Sequence, residues 1–186
     1  CIRAMRYGAT GIMIDASTLA LDDNIKATAS AVALAKAAGV SVEGELGRIG
    51  STKDENWAAY TETEDAVRYV KETGVDALAV MVGTAHGKYV QAPALAIDRI
   101  AEIHSAVDAH LVLHGGSGVP NEQIKASIEA GIRKINFGTD ICYAFVEGFH
   151  AIDPLATPLD VSMAKVSESI KDFALEKIAL LGAGGK

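Results

Sequence analysis

Several things that would each have fixed the class of protein are scarce in this sequence. Of 186 residues only Cys1 and Cys142 are cysteines, too few and too far apart for a disulfide framework or a zinc knuckle. That scarcity suits a reducing compartment, so a cytoplasmic location is expected. No apolar run reaches the roughly 18 residues that a membrane span needs, and no membrane partner is expected. Basic residues are outnumbered 17 to 24, the formal net charge is -7, and no Lys/Arg cluster stands out. Nucleic acid is therefore not an expected partner, and an anionic ligand has to be held by local donors or a metal. The sequence opens on Cys1 with no initiator Met and no leader-like segment.

What the sequence does have is apolar residues, 49% of the chain, arranged in short runs. Strand-length runs occur at Gly11 to Ile14, Val40 to Leu46, Ala77 to Val82, Leu111 to Leu113 and Lys134 to Phe137. Each is followed by a stretch of helical period. Ile25, Ala29 and Val32 share a face in a helix over Asn24 to Ala38. Thr61 with Glu64 reads as a capping box before Val67 and Val70. Pro120 and Asn121 open a helix through Ile124 and Ile128 that Gly131 closes, and a last helix runs through Met163, Val166, Ile170 and Phe173. Alternation of this kind predicts a parallel sheet in one domain over residues 1–186.

Two parallel architectures compete. An open doubly wound sheet for dinucleotides carries a glycine-rich turn after its first strand, and Gly8 to Ile14 has none. A (β/α)8 TIM barrel instead collects polar residues at the C-terminal ends of many strands. Here the runs end in turn on Asp15, on Glu43 with Glu45, on His86, on His114, and on Asn136 with Asp140. The barrel is the predicted fold. Since such a barrel takes about 250 residues and eight units, the five units present are expected to be its C-terminal portion.

His86, in Gly83-Thr84-Ala85-His86-Gly87, and His114, in Leu113-His114-Gly115-Gly116-Ser117-Gly118, project from neighbouring strand ends into glycine-flanked loops. Neutral imidazole is a common zinc ligand, and a catalytic zinc takes three protein ligands and one open position. Glu45 or Asp15 could complete the set or anchor a histidine from behind. The competing reading of Asp15 is a helix N-cap with Ser17. Glu43 and Glu45 share one face of their strand, and an inward carboxylate pair needs partners, for which Lys134 or Arg48 would serve in a salt bridge. His104, His110 and His150 read as surface or packing residues. Gly115 to Gly118 and Asn136 to Asp140 resemble phosphate cradles, in which successive backbone N–H groups face an anion, although tight turns use glycine too.

In order, Met13-Ile14-Asp15-Ala16-Ser17, Val42-Glu43-Gly44-Glu45-Leu46-Gly47, Gly83 to Gly87, Leu113 to Gly118 and Lys134-Ile135-Asn136-Phe137-Gly138-Thr139-Asp140 resemble the motifs of class II, zinc-dependent fructose/tagatose-bisphosphate aldolases. The resemblance runs from end to end. It implies a lyase that cleaves a ketose 1,6-bisphosphate reversibly to dihydroxyacetone phosphate and glyceraldehyde 3-phosphate. It implies Zn2+ on His86 and His114, with Glu45 and Asp15 near a second or mobile cation position. Gly87, Gly115, Gly116, Ser117, Asn136, Phe137, Gly138 and Thr139 would hold the phosphorylated sugar, and a homodimer or tetramer is implied. The family's proton-transferring Asp and third zinc-binding His would precede Cys1. Its flexible loop, here Gly50-Ser51-Thr52-Lys53 with Asp54 or Glu55 as candidate carboxylates, looks short. Two rivals stand beside this reading: a related metal-dependent aldolase acting on another phosphorylated sugar, and a non-catalytic phosphate-binding partial barrel.

Overall fold

The fold follows from which side of each short strand is oily. The structure, a computed structural model, describes residues 1–50, 60–87, 89, 92–153 and 155–185. Its elements are α1 (Ile2–Arg6), β1 (Gly11–Ile14), α2 (Leu21–Ala37), β2 (Ser41–Leu46), α3 (Thr63–Thr73), β3 (Ala77–Val80), α4 (Ile97–Ala106), β4 (His110–Leu113), α5 (Asn121–Ala130), β5 (Ile132–Ile135), α6 (Thr139–His150) and α7 (Leu159–Leu180). All five strands are parallel, and they lie in the order β1-β2-β3-β4-β5. Strictly sequential order leaves no reversal point of the kind a doubly wound sheet uses. It is the winding of a (β/α) barrel wall, in which crossovers are right-handed as a rule. Consistent with that, α2 packs on α3, α3 on α4 and α4 on α5.

Period two sorts the strand side chains. Ile12, Val42, Leu78, Val80, Leu111, Leu113 and Ile132 join Ile25, Val32, Ala66, Tyr69, Ile100, Ile103 and Ile124 in one apolar cluster between sheet and helices. The opposite, concave face carries the alternate residues. On β2 these are Glu43 and Glu45, and their partners in register on β3 are Ala77 and Ala79. Two methyl groups leave the middle of that face low, so side chains from β2 can reach over β3 toward β4 and β5.

Several boundaries differ from the sequence reading. β5 is Ile132–Ile135, two residues earlier than expected, because Gly131 ends α5 and the strand follows with no loop. Lys134 therefore stands inside its strand and not at its start. α2 begins at Leu21, three residues before Asn24. The capping box is absent: Glu62 is the N-cap of α3 and makes no side-chain cap bond. Thr61 is used elsewhere. Its hydroxyl donates to the Leu46 carbonyl at 2.7 Å and accepts from the Met81 N–H at 2.9 Å, which ties the ends of β2 and β3 together.

Candidate active site

The site starts with the backbone of β2. Tyr69, fully buried on α3, places its hydroxyl where a Cβ on Gly44 would come within 2.5 Å of it. Only glycine fits between the two carboxylates. The Tyr69 hydroxyl also meets Thr28 Oγ1 at 2.8 Å and donates toward Asn24 Oδ1 at 3.2 Å, while Asn24 Nδ2 donates to the Glu45 carbonyl at 2.9 Å. This buried network holds the helix side of β2, so Glu43 and Glu45 are presented together on the concave side.

There they enclose His114, the first residue after β4. Nε2 of His114 lies 2.8 Å from Glu43 Oε1 and Nδ1 lies 2.9 Å from Glu45 Oε2. Glu43, Glu45 and His114 are 9%, 3% and 4% exposed. Burial by itself lowers the imidazole's pKa, but the hydrogen bonds and charges of Glu43 and Glu45 outweigh it and raise the value to about 9. Burial likewise acts to raise Glu43, and the bonds from His114 and Lys134 hold it below its ordinary value. Lys134 Nζ donates to Glu43 Oε2 at 2.7 Å, across the two intervening strands. On the other side Ser17 Oγ lies 3.1 Å from Glu45 Oε1 and 2.7 Å from Asp15 Oδ1, to which the Ser17 N–H also donates at 3.0 Å. A polar chain thus runs Lys134, Glu43, His114, Glu45, Ser17, Asp15.

His86 is exposed at the end of the loop after β3, its ring centre 6.3 Å from that of His114 and tilted by 44°. Tyr89 ties the two histidine-bearing segments together. Its hydroxyl accepts from the Ala85 N–H at 2.6 Å and lies 2.9 Å and 3.2 Å from the carbonyls of Ala85 and Gly115. Gly115 has φ +67°, and a Cβ there would stand 2.6 Å from the Ala85 carbonyl, so this glycine is demanded by the close approach of the two loops.

The two glycine-rich loops are also stitched to each other. The Gly116 N–H donates to the Asn136 carbonyl at 3.0 Å, and the Asp140 N–H donates to Ser117 Oγ at 3.1 Å. The Gly118 N–H returns to Asp140 Oδ2, also at 3.1 Å. Asn136, Phe137, Gly138 and the α6 N-terminus are thereby brought beside Gly115, Gly116 and Ser117. A Cβ on Gly138 would meet nothing within 4 Å among the described residues.

The structure therefore gathers Glu45, His114 and Asp15 into one chain, with His86 beside it and outside the bonding. Asp15 is not a helix N-cap, since α2 has Ala20 in that place; it closes a turn on Ser17 instead. The expected salt-bridge partner of the carboxylates is found for Glu43, as Lys134. Among the described residues no three His, Cys, Asp or Glu side chains are gathered as a metal-binding group. Both nitrogens of His114 face carboxylates, so one must be released to a cation. The donor types nevertheless fit zinc. Two imidazoles on one tetrahedral zinc stand roughly 5 Å apart, centre to centre, for Zn–N bonds of about 2 Å, and the pair here is about one ångström wider. Asp54 and Glu55 lie outside the described residues, and so does the rest of 51–59. Sequence reasoning did not foresee Tyr89, whose partners are main-chain atoms, or the reciprocal use of Ser117 and Asp140. An i to i+23 pairing of a loop serine with a helix N-terminus leaves no periodic trace.

Sequential parallel winding with acidic and imidazole side chains at the strand ends defines a (β/α)-barrel protein with its site on the C-terminal rim. The family model described as "Fructose-bisphosphate aldolase class-II" matches residues 1–186. The chain belongs to the class II fructose-bisphosphate aldolase family. It is 37% identical to a sulfofructosephosphate aldolase of Alkalicoccus urumqiensis, over the whole of this chain and 67% of that protein. It is similar to the crystal structure of the YdjI aldolase from Escherichia coli K12, with TM-score 0.89 and 35% identity over 99% of this chain and 65% of the other. A fructose-bisphosphate aldolase structure from Campylobacter jejuni shares the fold, with TM-score 0.76 and 23% identity over 97% and 63% of the two chains. The chain thus spans about two thirds of the length of these relatives. No helix among the described residues is long and apolar enough to cross a membrane.

Proposed function

We propose that this chain supplies the metal and phosphate halves of a class II aldolase site, which cleaves a phosphorylated ketose reversibly to dihydroxyacetone phosphate and an aldehyde. The observation that carries this reading is His114 held between Glu43 and Glu45 at the strand ends, with the His86 ring beside it. His114, His86 and Glu45 would hold zinc, and Asp15, through Ser17, would serve a second cation position. When bound, the ion supplies Lewis-acid stabilisation of the charge that develops beside the substrate's ketone. The chain's own residues orient the substrate. Gly87, Gly115 to Ser117 and Asn136 to Thr139 would face its phosphate, where the α6 N-terminus favours an anion. Phosphate binding remote from the reacting carbons fixes their position against the metal.

Fructose or tagatose 1,6-bisphosphate is the first expected substrate. A second reading, a ketose phosphate with a different group at its far end, is favoured by the open space in front of Gly138 and by the relative named for sulfofructose phosphate. The test is a cleavage assay of the zinc-loaded protein, with the segment that would carry the family's Asp and third His included, on fructose 1,6-bisphosphate, tagatose 1,6-bisphosphate and a sulfofructose phosphate, with dihydroxyacetone phosphate measured as product. Turnover of one of the three, abolished by chelator and by His114→Ala, is expected. Absence of product from all three, in a folded protein that holds zinc, rejects the aldolase reading.

The same family reading makes the protein a homo-oligomer. The helix pair α6 and α7 supports it, because α6 buries no side chain and exposes Phe145, Val146 and Phe149, while α7 exposes Val161 and Met163.

A further inference from the structure

We propose that Lys134 is a positioning residue for the His114 imidazole, acting through Glu43 and fixing which ring nitrogen is offered to a cation. The inference rests on the metal reading above and adds to it a residue that touches neither metal nor substrate. Its basis is the division of labour on Glu43. Oε2 takes the Lys134 ammonium at 2.7 Å, and Oε1 takes His114 Nε2 at 2.8 Å. With both oxygens engaged, the carboxylate cannot turn away from the ring. A fixed acceptor at Nε2 keeps that nitrogen protonated and leaves Nδ1 as the one that can give up its proton and bind a cation.

Glu45, at Nδ1, is held differently. Among the described residues its only other side-chain partner is the Ser17 hydroxyl, which is also bonded to Asp15, and no described positive charge besides the imidazole restrains it. Glu45 also lies two residues further along β2 than Glu43, on the order of 6–7 Å nearer the C-terminal rim at about 3.3 Å per residue. The anchored carboxylate is thus on the inner side of the ring and the releasable one is on the rim side, toward Asp15 and Ser17. Ala77 and Ala79 make the arrangement possible, because bulk at those positions on β3 would stand in the path between β2 and β5.

The experiment compares wild type, Lys134→Met and Lys134→Arg. It reads zinc affinity by chelator competition, the visible spectrum of the cobalt(II)-loaded protein and the thermal midpoint of the metal-free protein. Loss of an outer partner of this kind commonly weakens metal binding by about 10- to 100-fold. Lys134→Met should show a loss of that size and an altered cobalt spectrum, and Lys134→Arg should restore most of both. A role confined to folding would lower the midpoint and leave affinity and spectrum alone. A folded Lys134→Met that binds zinc with wild-type affinity and gives the wild-type cobalt spectrum overturns the inference. If Lys134→Met does not fold, Lys134→Gln is judged by the same criteria. Wild-type protein that binds no zinc rejects the metal reading itself and this inference with it, a result distinct from equal binding by both proteins.

Discussion

Glu45 Oε2 and His114 Nδ1 stand 2.9 Å apart with almost no water access, on β2 and just after β4, so the bond spans the whole width of β3. Its strength depends on the imidazole being charged, and the first prediction follows from that.

The folded-state pKa of His114, about 9, lies above its ordinary value of 6.5. Its contribution to stability is therefore complete below about pH 6.5 and is lost as the pH rises through about 9. Glu43 is held below its ordinary value, so its contribution is complete above about pH 4.5 and is lost as the pH falls through its lowered value. Thermal melts of the metal-free protein should peak between about pH 4.5 and 6.5. They should fall on the alkaline side by on the order of 3 kcal/mol, at roughly 2–4 °C per kcal/mol for a chain of this size. His114→Gln should flatten the alkaline limb. An unchanged limb in that variant would place its cause elsewhere.

Zinc and proton compete for the same nitrogen. Binding should strengthen as pH rises from 6 toward 9, with release of about one proton per zinc near neutrality. Calorimetric titrations in two buffers of different ionisation enthalpy read the proton count directly. A count of zero at pH 7 would show that His114 is not deprotonated by the ion.

Gly44 and Tyr69 should behave as one unit. Gly44→Ala drives a methyl group into the Tyr69 hydroxyl, at a cost of about 1–3 kcal/mol as overpacking. Tyr69→Phe alone removes one buried partner of Thr28 and Asn24, which keep their bond to each other, at a cost on the order of 1 kcal/mol. The double variant should be more stable than the sum predicts, because removing the hydroxyl removes most of the clash. Urea denaturation of the four proteins measures this coupling, and simple additivity would contradict the close approach.

Two glycines of the loops should part company. Gly115→Ala combines a positive φ with a contact on the Ala85 carbonyl, and should cost both stability and zinc affinity. Gly138→Ala has open space and an ordinary φ of -94°, so stability should change by no more than about 0.5 kcal/mol. Its effect should appear in the relative rates on the three ketose phosphates, measured side by side. Equal behaviour of the two variants in both assays would remove the distinction.

Mass by light scattering tests the α6 and α7 face. A multiple of the chain mass is expected, and Phe145→Asp with Phe149→Asp should reduce it toward the 19.4 kDa monomer.

The strand ends were legible because parallel strands are short and end on polar residues, and Asp15, Glu45 and His114 stand in one hydrogen-bonded chain. Period two also predicted that Glu43 and Glu45 would share a face. What escaped was lateral. Lys134 was placed at the start of its strand, since the apolar run from Lys134 to Phe137 is more regular than Ile132-Arg133-Lys134-Ile135, where alternate side chains face opposite environments. Thr61 carries the signature of a capping box, yet its hydroxyl has a better use between β2 and β3. Contacts between strands 20 to 91 residues apart leave no local spacing to read.

Ala77 and Ala79 contribute no chemistry, yet they turn separate strand ends into one electrically connected trough. A charge altered at Lys134 on β5 meets Glu43 on β2 directly and reaches Asp15 through His114, Glu45 and Ser17. Remodelling of this pocket to accept another substrate therefore begins at β3, where added bulk at Ala77 would come between Glu43 and Lys134.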